Sequence, residues 1–399
     1  MLIDNQGHCS VILGNENLKL ARFSRVSVTL FHSPYFSLPN QPMDNEASLE
    51  SLFKEAGISK KSKVGLVGWK MFTSASGEGK FFFDLPWFIV DAVKRTLKPG
   101  ASLENATHLF IGDAGARTTC NANEVAHYEY GANLSSNCIL TAMDAVETGV
   151  RESALGALLA AEGQYNTVVT IAATGSRFEK ANIYPTHKAV QHGDPLSMTT
   201  GFKGGLSSRT GFVIAEESEL PDNQKDYLER VAKPYFAAVV AWLEHIHTGM
   251  TGDAFYQLIE TVFPKAQYGW HLNPGHLVAD EEWMSSPIYC GSVETLKSGM
   301  LLQIDIIPSV PGYTGVSAEE CVALADTALQ ANIRKEYPDL WKRIETRRRY
   351  LREEIGINLS DEVLPLSNTV AYLRPFLLAK DRAFQIVKHK AEGGKGGRE

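Results

Sequence analysis

The sequence predicts a soluble two-domain protein that mixes helices with strands, and three observations carry this. A chain of 399 residues exceeds what one ordinary core serves, so two domains are expected. Short apolar or β-branched runs, of which Thr167 to Ala172 and Leu301 to Ile307 are the clearest, have strand character. Around them lie longer stretches with apolar residues at helical spacing and cap signals at their starts.

Residues 1 to 118 read as an α/β domain. Ser48 to Ala56 is expected as an amphipathic helix ended by Gly57, and Lys63 to Lys70 as a buried strand running into a loop. Leu85 to Leu97 has helical spacing and stops at Pro99-Gly100; His108 to Gly112 is expected as another short strand. Gly65-x-x-Gly68 lacks the third glycine and following helix of a dinucleotide fingerprint, so nucleotide binding is not expected there. Asn121 with Glu124 fits a capped start for a helix reaching Ala145, and Ser153 to Glu162 follows as a second helix. Gln224 to His245 is expected as a long helix kinked at Pro234, and Thr251 to Phe263 as another. Arg343 to Glu354 is charge-rich. Glu345 can pair with Arg348 and Arg349 along one face, so it reads as a solvated helix or a dimer contact. Lys390 to Glu399 is rich in glycine and charge and is expected to be disordered.

Composition removes several function classes. Hydrophobic residues make up 44% and charged residues 21%, the balance of a soluble globular chain. A formal net charge of -7 argues against a nucleic-acid binder. No run reaches the length of a membrane span, and the N-terminus has no basic region followed by an apolar core, so no membrane partner and a cytoplasmic location are expected. Five scattered cysteines (Cys9, Cys120, Cys138, Cys290, Cys321) suit free thiols in a reducing compartment.

The first pointer to a site is Leu301 to Ile307, polar only at Gln303 and Asp305. Two residues apart on a strand, these share a face. A buried acid there is costly unless something pairs with it. A wet face that solvates Asp305 fits the spacing equally well. His276 alone reads as a structural histidine, Glu319 alone as an exposed acid, and Asp280-Glu281-Glu282 as a solvated loop.

The order of the pieces adds to this. Gly275-His276 comes first, then Ser298-Gly299-Met300 leading into the strand with Asp305 and Pro308, then Gly315-Val316-Ser317-Ala318-Glu319. Over residues 120 to 375 this resembles the creatinase, aminopeptidase P, prolidase and methionine aminopeptidase family. The resemblance implies an α+β fold. A pita-bread catalytic-type domain at 119–389 would follow a smaller creatinase-type N-terminal α/β domain at 1–118, with a disordered tail at 390–399.

The same resemblance exposes a departure. That family holds two metal ions with two Asp, one His and two Glu. Here Thr199-Thr200-Gly201 stands where an Asp-x-Gly is expected. Leu206 or Ser207 stands near the second aspartate, before Ser208-Arg209-Thr210. Asn182 and Trp283 take the places of family histidines, and Asp305 that of a glutamate. The implied catalytic set is His276, Asp305 and Glu319, with Asn182, His187, Thr199, Arg209 and Trp283 as substrate-binding candidates. No cofactor is expected; a single divalent ion on His276, Asp305 and Glu319 is the one metal arrangement left.

Creatinase, within the family, hydrolyses a C–N bond of a guanidino substrate without metal. The reading is therefore a metal-independent hydrolase acting on a C–N bond of a small cationic or amide substrate. A mononuclear metallopeptidase resembling Xaa-Pro dipeptidase and a non-catalytic small-molecule or protein-binding pseudoenzyme are the alternatives. The expected partners are a small-molecule substrate and a second copy in a homodimer.

Overall fold

The structure is a computed structural model that describes residues 1–43, 46–59, 62–73 and 77–387. The tail expected to be disordered, 390–399, lies outside the described residues. The chain divides into two units, Met1–Gly115 and Ala116–Glu399. Among the described residues no helix is long and apolar enough to cross a membrane.

In the first unit β1 (Leu2–Ile3), β2 (Cys9–Leu13) and β3 (Val28–His32) form one sheet. β4 (Lys63–Leu66) pairs in parallel with β5 (Ser102–Asn105). Helix Leu49–Glu55 starts where the Ser48 side chain accepts from the Ser51 N–H, a standard cap. Its Leu49, Leu52 and Phe53 pack with Val90 and Val93 of helix Trp87–Thr96. His108 to Gly112, expected as a strand, instead forms a one-turn helix, His108–Ile111. The N–H groups of Leu109, Phe110 and Ile111 bond locally to the carbonyls of Ala106 and Thr107. The strand lies just upstream, at β5.

In the second unit, helix Ala122–Asp144 begins with the expected reciprocal cap. Asn121 accepts from the Glu124 N–H at 3.0 Å, and Glu124 accepts from the Asn121 N–H at 2.9 Å. The sheet contains β6 (Ile171–Thr174), β7 (Pro195–Phe202), β8 (Gly205–Phe212), β9 (His276–Leu277), β10 (Leu301–Ile304), β11 (Ser317–Leu324) and β12 (Val363–Pro365). Its order is β6-β7-β8-β11-β10-β9, with β12 on β11 and every pair antiparallel. All residues of β7, β8 and β11 are buried, so the middle of the sheet is covered on both faces. Alternation sorts them. Leu196 and Met198 of β7 join Leu134, Ile139 and Met143 of the long helix in an apolar core. Ser197 and Thr199 point the other way, into a cavity.

Several boundaries differ from expectation. The Thr167 to Ala172 run enters the sheet only at Ile171, which pairs with Thr199. The Leu301 to Ile307 strand stops at Ile304, leaving Asp305 just past its end. The long helix kinked at Pro234 is instead a π-helical turn, Leu228–Ala232, followed by helix Lys233–His245. The helical backbone is continuous through Ala232 and Lys233, so the irregularity falls in the turn just before the proline, which cannot donate there. Arg343 to Glu354 is no solvated helix. Arg347 and Arg348 are buried, Arg343 and Arg347 both pair with the buried Glu129, and Arg348 pairs with Asp361. A charge-rich sequence does not by itself reveal that one of its partners, Glu129, comes from a helix about two hundred residues away.

The β7–β8 hairpin closes over two residues, Lys203-Gly204. Gly204 has φ +102°, and a Cβ there would lie 2.2 Å from the Tyr128 carbonyl oxygen. Gly204→Ala is therefore expected to destabilise the protein by about 2–4 kcal/mol in urea unfolding; a change within error would remove this account of the turn.

Candidate active site

A cavity of about 580 Å³ opens on the face of the sheet away from the long helix. Its floor is built from alternate residues of three strands. Ser197 and Thr199 of β7 pair in register with Thr210 and Ser208 of β8, and Ser317 of β11 pairs with Thr210. Their hydroxyls form one string. Thr199 Oγ1 donates to Ser208 Oγ at 2.8 Å, and Ser208 and Ser317 are 3.1 Å apart. Ser317 donates to Thr210 at 3.2 Å, and Thr210 to Ser197 at 2.9 Å. All five residues line the cavity.

The acids sit at the next positions. Asp305 follows β10, Glu319 lies on β11 two residues after Ser317, and Glu282 comes from the loop after β9; all three line the cavity. Gln303 takes no part. Its side chain accepts from the Leu206 N–H and donates to the Leu206 carbonyl at 2.9 Å, which locks β10 to β8.

His276 is fully buried behind these acids. Its Nε2 lies 3.3 Å from Glu282 Oε1 and 3.6 Å from Asp305 Oδ2. Its Nδ1 lies 3.2 Å from the Leu277 carbonyl oxygen. That oxygen can only accept, so Nδ1 carries a proton, and Nε2 is the ring atom turned to both acids. The imidazole stacks on Trp283, with centroids 4.0 Å apart and planes at 20°. Gly275 precedes His276 because a Cβ there would stand 3.0 Å from the Gln303 carbonyl oxygen and 3.3 Å from Trp242 Nε1.

The carboxyls do not titrate alike. Burial raises Asp305 to about 6, opposed by His276 and reinforced by Glu282. Burial, then the charges of Asp305 and Glu282, push Glu319 well above the usual carboxylate range, against the pull of Arg209. Both are raised, and Glu319 holds its proton the more firmly, a separation of roles that suits acid–base chemistry. Asp305 Oδ1 and His276 Nε2 are both buried with no hydrogen-bond partner among the described residues.

Of the residues singled out in the sequence, Asp305, Glu319, Thr199 and Trp283 line the cavity, and His276 backs it. Three do not reach it. Asn182 is exposed, and exposed His187 faces Ser153 Oγ at 3.4 Å. Arg209 lies on the opposite side of β8, because its neighbours Ser208 and Thr210 take the cavity face. There it is 1% exposed and pairs with Glu320 at 2.7 Å. Glu282 is drawn out of its expected solvated loop by the imidazole; Asp280 and Glu281 do stay outside, paired with Lys203 and Arg117. The hydroxyl floor had a readable signal: Ser197 with Thr199, and Ser208 with Thr210, share the two-residue spacing of Gln303 with Asp305.

A dinuclear metal centre does not fit this donor set. Where the first aspartate would stand is Thr199, a neutral hydroxyl bonded to Ser208; near the second stand Leu206, which is apolar, and Ser207, which donates to Glu320 instead, whereas hard divalent ions require several anionic oxygens. Among the described residues no three His, Cys, Asp or Glu side chains are arranged to hold a metal ion.

Residues 126–326 match metallopeptidase family M24. Solved structures are similar over most of the chain. Prolidase from Pyrococcus furiosus is 18% identical with a TM-score of 0.60, covering 80% of this chain and 85% of that one. Xaa-Pro dipeptidase from Bacillus anthracis is 18% identical with a TM-score of 0.59, covering 79% and 81%. X-Pro aminopeptidase from Thermotoga maritima is 16% identical with a TM-score of 0.52, covering 79% and 83%. At such identities the likeness speaks for the fold alone, and it bears out the α+β pita-bread expectation. No curated protein matches the chain in sequence.

Proposed function

This chain belongs to metallopeptidase family M24, and on that premise we propose that it is a hydrolase that cleaves a C–N bond of a small cationic or amide substrate without a metal ion. The observation that carries the reading is the joining of His276, Asp305 and Glu282 at the wall of a cavity whose floor has neutral side chains, Thr199 and Leu206 among them, where a dinuclear centre needs carboxylates. Ionised Asp305 grips the cation or the amide N–H. Glu282 takes a proton from the attacking water and passes it to His276 Nε2, 3.3 Å away. Water oxygen bonds to the carbon, the C–N bond breaks, and Glu319 supplies its proton to the departing nitrogen. Trp283 and Thr199 shape the wall beside the reacting bond.

The test is amine or ammonia release from guanidino compounds, amides and dipeptides by chelator-treated protein. Turnover is expected to persist after metal removal and to vanish in His276→Asn; activity that returns only with added manganese or zinc would replace this reading by a mononuclear metallopeptidase. A homodimer and a cytoplasmic location belong to the same proposal. A monomer in sedimentation would remove the first, and secretion of the native protein the second.

A further inference from the structure

The chemistry of the cavity wall narrows the substrate class. Among its described lining residues there is no Lys, Arg or His. Carboxyl side chains line it instead: Glu179, Glu282, Asp305 and Glu319. A bound carboxylate would need donors, and the hydroxyl floor has few to give. Each hydroxyl carries one hydrogen. Along the string Thr199, Ser208, Ser317, Thr210, Ser197, each hydrogen goes to the next oxygen, so only Ser197 keeps one free. Arg209, the guanidinium beside Ser208 in sequence, is fully engaged behind the strand by Glu320 and the carbonyls of Ser208, Thr369 and Tyr372.

A cation meets the opposite situation. Asp305 is only 5% exposed, lines the cavity, and has Oδ1 without a partner. Buried and unpartnered, that oxygen is stabilised by an incoming N–H donor. Apolar side chains of Val168, Ile171, Phe178, Leu272, Trp283 and Ile307 complete the wall. We propose that the cavity takes an organic cation without a carboxylate, an amine, amidine or guanidine on an apolar body, and rejects zwitterionic amino acids and dipeptides. This rests on the hydrolase reading of the same cavity and names its substrate class.

Matched pairs test it: agmatine against arginine, and phenethylamine against phenylalanine, with glycyl-proline as the dipeptide. Binding to the full chain is measured by calorimetry at pH 8. The decarboxylated member of each pair is expected to bind at least about tenfold more tightly, and Asp305→Asn and Glu282→Gln each to weaken agmatine about tenfold. Both variants should keep the circular dichroism of the parent. Equal or tighter binding of arginine, phenylalanine or glycyl-proline overturns the proposal. So does binding of none of the probes, or agmatine binding untouched by either variant. Turnover is scored separately. Selective binding of agmatine without hydrolysis of any C–N compound would remove the hydrolase reading and leave this class standing; hydrolysis of glycyl-proline without the preference would do the reverse.

Discussion

Arg209→Met is expected to destabilise the second unit by about 3–5 kcal/mol, the range for removing one partner of a buried ion pair. The arginine and Glu320 are both essentially inaccessible and 2.7 Å apart. Glu320 also accepts from Ser207 Oγ at 2.9 Å and Thr369 Oγ1 at 2.5 Å. The guanidinium donates to carbonyls of Ser208, Thr369 and Tyr372. Removing it leaves a buried carboxylate with two hydroxyl donors but no counter-charge, and three carbonyls lose a donor. Replacing both members, Arg209→Met with Glu320→Leu, should recover part of the loss, because no isolated charge remains. Urea unfolding followed by tryptophan fluorescence checks both. A loss under about 1 kcal/mol for the single variant would return Arg209 to the list of groups free to act on a substrate.

Asp305→Asn is expected to keep the fold and lower turnover by about a hundredfold or more, the scale of a lost charge-stabilising group in a dry site. Activity of the parent should rise with pH through about 6, where Asp305 ionises. Stability should move the other way. The folded-state pKa lies above the ordinary 3.8, so the stabilising contribution is fully present below pH 3.8 and is lost as pH rises through about 6. The whole displacement corresponds to about 3 kcal/mol. The asparagine variant lacks this slope and should therefore gain on the parent between pH 5 and pH 8. Urea midpoints at those two values decide it. A variant that loses activity and also loses stability at pH 8 would make Asp305 a structural residue.

How much was legible varied with the range of the interaction. The cap at Asn121 and Glu124 was readable because both partners lie within one turn. The ordered motifs carrying His276, Asp305 and Glu319 pointed to one site because each sits on a strand or strand end. The strand expected at His108 failed because Leu109, Phe110 and Ile111 donate to the carbonyls just upstream. Arg209 was misassigned because its motif was read without its face; two-residue alternation puts it opposite Ser208 and Thr210. Glu282 was missed because a run of three acids looks solvated until an imidazole is found beside the last one.

By itself, then, the order of residues determined the family, the α+β architecture and the absence of aspartates at the strand positions that would hold paired metal ions. These follow from short-range patterns and from residue identity, which need no coordinates. Only the tertiary structure decided which acids meet the imidazole, which arginine is withdrawn from the cavity, and that five hydroxyls from three strands close into one string. The arginine and the hydroxyl string depend on the register between β8 and β11, more than a hundred residues apart, and a shift of one residue there would turn their partners to the other face; the imidazole's acids depend on the β9–β10 pairing and on the fold of the loop that carries Glu282.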